Sequence, residues 1–275
     1  MSENCNHNCG SCSKGDCAIR KEALNGSSRV KKVIGIVSGK GGVGKSMVTS
    51  MMASTMSKRG FKTAILDADI TGPSIAKVFG ISGKTYQTEE GIIPASSKGG
   101  IDIMSMNLLL DNPQDPVIWR GPVIGGVVKQ FWTDIVWDNE EYMFIDMPPG
   151  TGDVPLTVFQ SLPIDGIIVV TSPQELVGMI VEKAVHMAEI MNIPILGIVE
   201  NFAYFQCPEC GKKYYLFGEG HTDQVAQGLN IENVFHLPMK PDVAGLADAG
   251  RIEEVDCPEL APLADILEAL EADWK

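Results

Sequence analysis

The run Val33-Ile34-Gly35-Ile36-Val37-Ser38-Gly39-Lys40-Gly41-Gly42-Val43-Gly44-Lys45-Ser46 constrains this chain more than any other stretch. Its first part is apolar, β-branched and of strand length. Its second part is a glycine-rich turn that ends in Lys-Ser just ahead of a helical pattern, so the order is strand, loop, helix. Gly39, Gly41, Gly42 and Gly44 allow the backbone to wrap an anion with its N–H groups turned inward. In such a loop Lys45 reaches the β- and γ-phosphates of a nucleotide, and Ser46 ligates Mg²⁺ at the helix start.

The chain of 275 residues, 44% of them hydrophobic, is long enough for one large core. A formal charge of -13 speaks against a general nucleic-acid or anionic-membrane binder, since both need a cationic face. No stretch is long and apolar enough to span a bilayer, and the N-terminus lacks the apolar core of a signal peptide. These features predict a cytoplasmic protein. In that reducing setting its seven cysteines point to metal binding before disulfides.

Residues 1–32 stand apart from the rest. They carry net +3 against -16 for the remainder, and Cys5, Cys9, Cys12 and Cys17 sit among Asn, Gly and Ser with no apolar periodicity. Four thiolates spaced so closely can converge on one centre, zinc or an iron–sulfur cluster. We therefore divide the chain into a cysteine-rich segment, 1–32, and a globular domain, 33–275.

Beyond the loop, a helix is predicted over 45–58, with Met47, Met51, Met52 and Met56 about a turn apart on a packing face. Strand 63–67 ends in Asp67-Ala68-Asp69, whose carboxylates, two apart, project to one side near the phosphate site. A glycine-punctuated excursion with a small hairpin follows, then a strand over 101–106 and a helix from Trp119-Arg120-Gly121-Pro122 to about Trp137. Strand 142–146 ends in Asp146, the expected second nucleotide motif supporting Mg²⁺, and Met147-Pro148-Pro149-Gly150-Thr151-Gly152-Asp153 suits γ-phosphate sensing. Strand 166–171, helix 175–191 and strand 195–201 continue the alternation. The whole reads as an α/β fold with a doubly wound, mostly parallel sheet flanked by helices.

Cys207-Pro208-Glu209-Cys210 breaks this rhythm. Two thiolates complete no four-ligand site, so the knuckle is a redox dithiol, a zinc site, or half of a site finished by a twofold-related subunit. Cys257 reads as structural. Residues 258–275 predict a docked acidic helix, unsuited to an anionic membrane.

Gly39-Lys40-Gly41-Gly42-Val43-Gly44-Lys45-Ser46 resembles the deviant Walker A loop of the MinD, ParA, ArsA and nitrogenase-iron-protein class. With Asp67 to Ser74, Arg120-Gly121-Pro122, Ile145 to Asp153, Val199-Glu200-Asn201 and Cys207 to Cys210, the chain resembles the Mrp/ApbC iron–sulfur carrier family over about 30–270. The resemblance implies a SIMIBI-like P-loop ATPase. The nucleotide site would comprise Gly39 to Met47, Asn201, Pro241 and Asp242. Lys45 would hold its own nucleotide, while Lys40 would reach the partner's across a homodimer. Asp69 would activate water or contact Mg²⁺, with Ser46 and Asp146 also supporting the ion. Cys207 and Cys210 of two subunits would bridge one [4Fe-4S] cluster for delivery to apo iron–sulfur proteins. A positioning ATPase of MinD or ParA type and an electron-transfer ATPase like the nitrogenase iron protein are the alternatives.

Overall fold

The computed structural model describes residues 21–83, 85–110, 112, 119, 121–173 and 177–275. Cys5, Cys9, Cys12, Cys17 and Arg120 lie outside the described residues. In chain order the elements are β1 (Val30–Val37), α1 (Lys45–Lys58), β2 (Thr63–Asp67), α2 (Ile75–Val78), β3 (Tyr86–Gln87), β4 (Ile92–Ile93), β5 (Ala95–Ser96), β6 (Asp102–Met104), α3 (Gly121–Thr133) and β7 (Glu140–Asp146). There follow α4 (Asp153–Ser161), β8 (Gly166–Thr171), α5 (Val177–Ile190), β9 (Ile195–Gln206), β10 (Lys213–Tyr214), α6 (Thr222–Gly228), β11 (Val234–Pro238), α7 (Pro241–Asp248) and α8 (Ala261–Ala269).

The main sheet runs β10-β9-β8-β1-β7-β2-β6-β5, with β11 also paired to β9. The pairings among β11, β9, β8, β1, β7, β2 and β6 are parallel, and β10 and β5 add antiparallel partners. This is the expected doubly wound, mostly parallel sheet. Its strands are apolar on both faces because helices cover both. Along β1, Val33 and Val37 face the layer holding Trp132 of α3, Phe159 of α4 and Val181 of α5, while Ile34 and Ile36 face Met52 and Met56 of α1 and Leu263 of α8. Met52 and Met56 are fully buried, each contributing about 1.5–3 kcal/mol of apolar burial.

The order of the parallel strands brings the carboxyl ends of β1, β2, β7, β8 and β9 to one rim. In the register, Asp67 lies opposite Asp146 and Thr171 opposite Glu200. Loops after those strands therefore converge where a doubly wound sheet places its ligands.

Several boundaries differ from those read in the sequence. β1 begins at Val30, since Arg29 and Glu140 extend the β1–β7 ladder through the Glu140 N–H donating to the Arg29 carbonyl at 2.8 Å. The helix expected to reach Trp137 ends at Thr133 because the Val136 N–H donates to Ile92, tying that segment to β4. The strand expected to run to Met106 stops at Met104, and residues 106–108 form a 3₁₀ turn. The C-terminal helix is interrupted: a 3₁₀ turn at Pro258–Leu260 precedes α8, which stops at Ala269. Tertiary anchoring wins over helix propensity there. The Lys275 N–H donates to the Val30 carbonyl at 2.8 Å, its Nζ reaches Asp165 at 2.8 Å, and Trp274 lies beneath Arg29.

Candidate functional site

The loop after β1 turns on two left-handed glycines, Gly42 (φ 80) and Gly44 (φ 81). Gly44 has a second reason to lack a side chain: a Cβ there would collide with the amide of Asn201. That amide, 4% exposed, donates to the Val43 carbonyl at 3.0 Å, and its Oδ1 accepts from the Phe202 N–H. The loop thus rests on the end of β9. Gly39 and half-buried Lys40 precede its exposed crest at Gly41 and Gly42.

Lys45 and Ser46 open α1 and both meet Asp146 at the end of β7. The Lys45 ammonium stands 2.7 Å from Asp146 Oδ1, and the Ser46 hydroxyl donates to Oδ2 at 2.6 Å. Thr49, one helical turn on from Lys45, donates to Oδ1 at 2.7 Å. Asp146 is thereby held by three side chains of one helix face.

At the neighbouring strand end, Asp67 is wholly buried and accepts from Ser105 Oγ at 3.0 Å and from the Asp69 N–H at 3.2 Å. Burial first, and the nearby Asp146 charge second, push its carboxyl up to about 8. Asp69 is half-buried, and burial raises its pKa too, against the pull of Lys45. The Gly150 N–H, in the loop after β7, donates to the Ser38 carbonyl at 2.7 Å and so ties the two loops together.

Behind the phosphate loop lies a mainly apolar cavity of about 420 Å³ walled by Gly44, Met47, Met51, Asn201, Phe202, Met239, Pro241 and Cys257, among others. Its size and apolar walls suit a flat heterocycle. Met47 and Met51, read in the sequence as core packing, thus face this space, whereas Asp242 is exposed and outside the lining. Burial pushes the Cys257 thiol up to about 12, so it stays protonated here.

The loop, the cavity and the strand-end acids fit a nucleoside triphosphate with Mg²⁺: the glycine loop and Lys45 for the phosphates, Ser46 with Asp67, Asp69 and Asp146 for the cation, and the cavity for the base. The buried Ser38 hydroxyl, without a hydrogen-bond partner among the described residues, is a further polar group at the start of this loop. Sequence reasoning gave no role to Thr49 or Ser105. The i, i+4 spacing of Lys45 and Thr49 was a signal for the first; Ser105 becomes visible only once β6 is set beside β2.

The second cluster of chemistry continues β9 beyond Asn201. β9 runs on to Gln206, longer than expected, because β10 pairs back on it as a hairpin. Between them the Gly211 N–H donates to the Cys207 carbonyl at 2.9 Å and the Cys207 N–H donates to Lys212 at 3.0 Å, forming a tight knuckle with Gly211 at φ 70. The backbone N–H groups of Cys210 and Glu209 lower the pKa of the Cys207 thiol, favouring the thiolate that binds metal. Cys210 is exposed. Among the described residues no third acidic, histidine or cysteine ligand joins this pair.

A glycine loop closed by Lys45-Ser46 and faced by strand-end aspartates defines a P-loop nucleoside triphosphatase, here with a two-cysteine knuckle on the strand that supports the loop. Residues 29–271 match the family of NUBPL iron-transfer P-loop NTPases of the ParA group, and the chain belongs to that family. It is 44% identical over 257 residues to an iron–sulfur cluster carrier protein of Clostridium perfringens, covering 90% of each chain. A nucleotide-binding protein of Archaeoglobus fulgidus, solved in complex with ADP, shares 42% identity and superposes with a TM-score of 0.76 over 84% of this chain and 91% of that one. The cell-division ATPase MinD of Pyrococcus furiosus, 18% identical with a TM-score of 0.64 over 87% of this chain and 99% of its own, shares the fold.

Proposed function

We propose that this protein is an ATP-dependent iron–sulfur cluster carrier. Mg²⁺–ATP occupies the loop of Gly39 to Ser46 with its base in the cavity between Asn201 and Pro241. Lys45 binds the phosphates, and Asp69, with Asp146 behind it, positions the hydrolytic water and the cation. Lys40 acts across a homodimer, and Cys207 and Cys210 of both subunits hold one [4Fe-4S] cluster as cargo for apo-protein recipients. Residues 1–32 supply a second metal- or cluster-binding set in Cys5, Cys9, Cys12 and Cys17. Hydrolysis is slow, and the protein works in the cytoplasm.

One observation carries this reading: β9 underlies the phosphate loop through Asn201 and reaches the thiol knuckle six residues later, so nucleotide and thiol sites share one strand. The names of the relatives agree with it. The need for a second subunit follows from the count of ligands, because a cluster asks for four thiolates and the knuckle offers two.

Anaerobic reconstitution of wild type and Cys207→Ala, with iron and sulfide counted per dimer and transfer to an apo-acceptor followed with and without ATP, tests the proposal. Wild type should bind and deliver a cluster, and the variant should lose the occupancy of its knuckle. Equal occupancy in both removes Cys207 from the site, and no transfer from loaded wild type rules out a carrier.

A further inference from the structure

The segment that carries Cys207 and Cys210 leaves the fold on β9 and rejoins it at α6, and both of its roots meet one buried carboxylate. Glu200, 3% exposed, accepts a hydrogen bond from the hydroxyl of Thr222, the first residue of α6. Its Oε2 lies 2.8 Å from Nδ1 of His236, its register partner on β11. The other ring nitrogen of His236 stands 3.2 Å from the carboxylate of Asp223. Gly220 passes so close overhead that a Cβ there would collide with Glu200 Oε1. Beyond Tyr204, which still pairs with Pro238 of β11, residues 205–221 form a closed excursion, laced at the base by side chains that converge on Glu200.

One residue further along β9 is Asn201, whose amide holds the Val43 carbonyl of the phosphate loop. A single peptide unit thus separates the support of the phosphate loop from the root of the thiol knuckle. The backbone here is under tension: Phe202 adopts φ 60, a conformation rare for a bulky residue, and the β9–β11 register shifts between His236 and Pro238. Although burial works the other way, the hydrogen bonds from His236 and Thr222 hold the Glu200 carboxyl below its usual range. The hydrogen bond to Glu200 in turn raises the pKa of His236, whose ring is 37% exposed beside the buried carboxylate. A buried polar network of this kind is costly when only partly satisfied, so movement of one member is resisted by the others.

We propose that Glu200, Thr222 and His236 are positioning residues that transmit the state of the phosphate loop to the Cys207–Cys210 knuckle. A shift of Asn201 against Val43 moves Glu200 on the same strand, and the carboxylate carries with it the first turn of α6 and the base of the excursion. None of the three touches the nucleotide or the thiols. The proposal rests on the carrier reading for what the knuckle holds.

The test is backbone hydrogen–deuterium exchange over residues 203–220 in the full-length protein, with and without Mg²⁺ and a non-hydrolysable ATP analogue. Wild type should show a nucleotide-dependent change in that segment. In Thr222→Val and His236→Gln the analogue should bind with wild-type affinity, while the change in exchange rate shrinks by about threefold or more. Thr222→Ser, which keeps the hydroxyl, should restore it. A wild-type response in both variants, or none in wild type, overturns the proposal. Iron and sulfide counts on the same wild-type protein judge the carrier reading separately: a knuckle that never loads refutes that reading, whereas the exchange response decides the link.

Discussion

The ammonium of Lys45 lies 2.7 Å from Oδ1 of Asp146, with the two side chains 6% and 1% exposed. A pair so shielded stabilises the fold only while both members are present, because removing one strands a buried charge. Lys45→Ala should abolish ATP hydrolysis and also cost about 3–5 kcal/mol of stability. Adding Asp146→Asn to that variant should recover most of the stability and none of the activity, since one of the Thr49 and Ser46 hydroxyls can still donate to the amide oxygen while the other turns to accept from the amide nitrogen. Thermal or urea unfolding alongside phosphate release checks both parts, and an unchanged melting curve for Lys45→Ala would contradict the first.

Gly44→Ala places a methyl group where the backbone has φ 81 and where the Asn201 amide already stands. The left-handed conformation alone costs a non-glycine residue about 1–2 kcal/mol, and the clash adds to it. The loop must therefore shift away from β9, so nucleotide should bind more weakly by tenfold or more, an amount equivalent to about 1.4 kcal/mol. Gly26→Ala is the control, because a Cβ at that position meets nothing within 4 Å and it lies outside the phosphate loop. Isothermal titration with ATP compares the two; equal affinities would mean that the loop does not lean on Asn201.

Much of this was legible in the sequence, and the reasons are local. The loop from Gly39 to Ser46 declares itself because its glycines and its Lys-Ser serve backbone geometry that few other sequences provide, and β2, α1 and β8 lie where periodicity put them. What was hidden depends on partners distant in the chain. Helix α8 stops at Ala269 because Lys275 is claimed by Val30 and Asp165, and no pattern within 258–275 foretells that. The methionines of α1 read correctly as an apolar face, yet Met47 and Met51 border a cavity closed by Met239 and Pro241, almost two hundred residues on. Asp67 was paired with Asp69 by spacing, but its complete burial beside Asp146 follows from the β2–β7 register.

Glu140, at the opposite end of β7 from Asp146, is wholly buried, and neither of its carboxylate oxygens has a hydrogen-bond partner among the described residues. Burial above all, and the nearby Asp102, push its pKa up to about 8, with Lys62 Nζ 3.8 Å away in partial opposition. Its folded-state pKa lies above the unfolded value of 4.5, so between the two the native state holds a proton that the unfolded chain has lost. Stability from this group is full below pH 4.5 and falls as pH rises towards 8, by at most about 1.4 kcal/mol per unit. Glu140→Gln should flatten that slope and raise the melting temperature at pH 8 more than at pH 5. A parallel pH dependence in wild type and variant would show that Glu140 does not titrate in this range.

Cys207 and Cys257 should differ sharply in reactivity, for opposite electrostatic reasons. The knuckle's N–H groups lower the pKa of the Cys207 thiol, whereas burial raises that of Cys257 to about 12, so at pH 8 only about one Cys257 in ten thousand is a thiolate. In protein stripped of iron and kept reduced, brief iodoacetamide treatment followed by peptide mass mapping should therefore label Cys207 first and leave Cys257 largely unmodified. Unfolding in urea should bring Cys257 to the rate of an ordinary thiol. Because Cys257 lines the cavity beside Met47 and Pro241, saturating Mg²⁺–ATP should slow its labelling further while leaving the order of the two cysteines unchanged. If ATP leaves the Cys257 rate unaltered in native protein, the base does not enter that cavity.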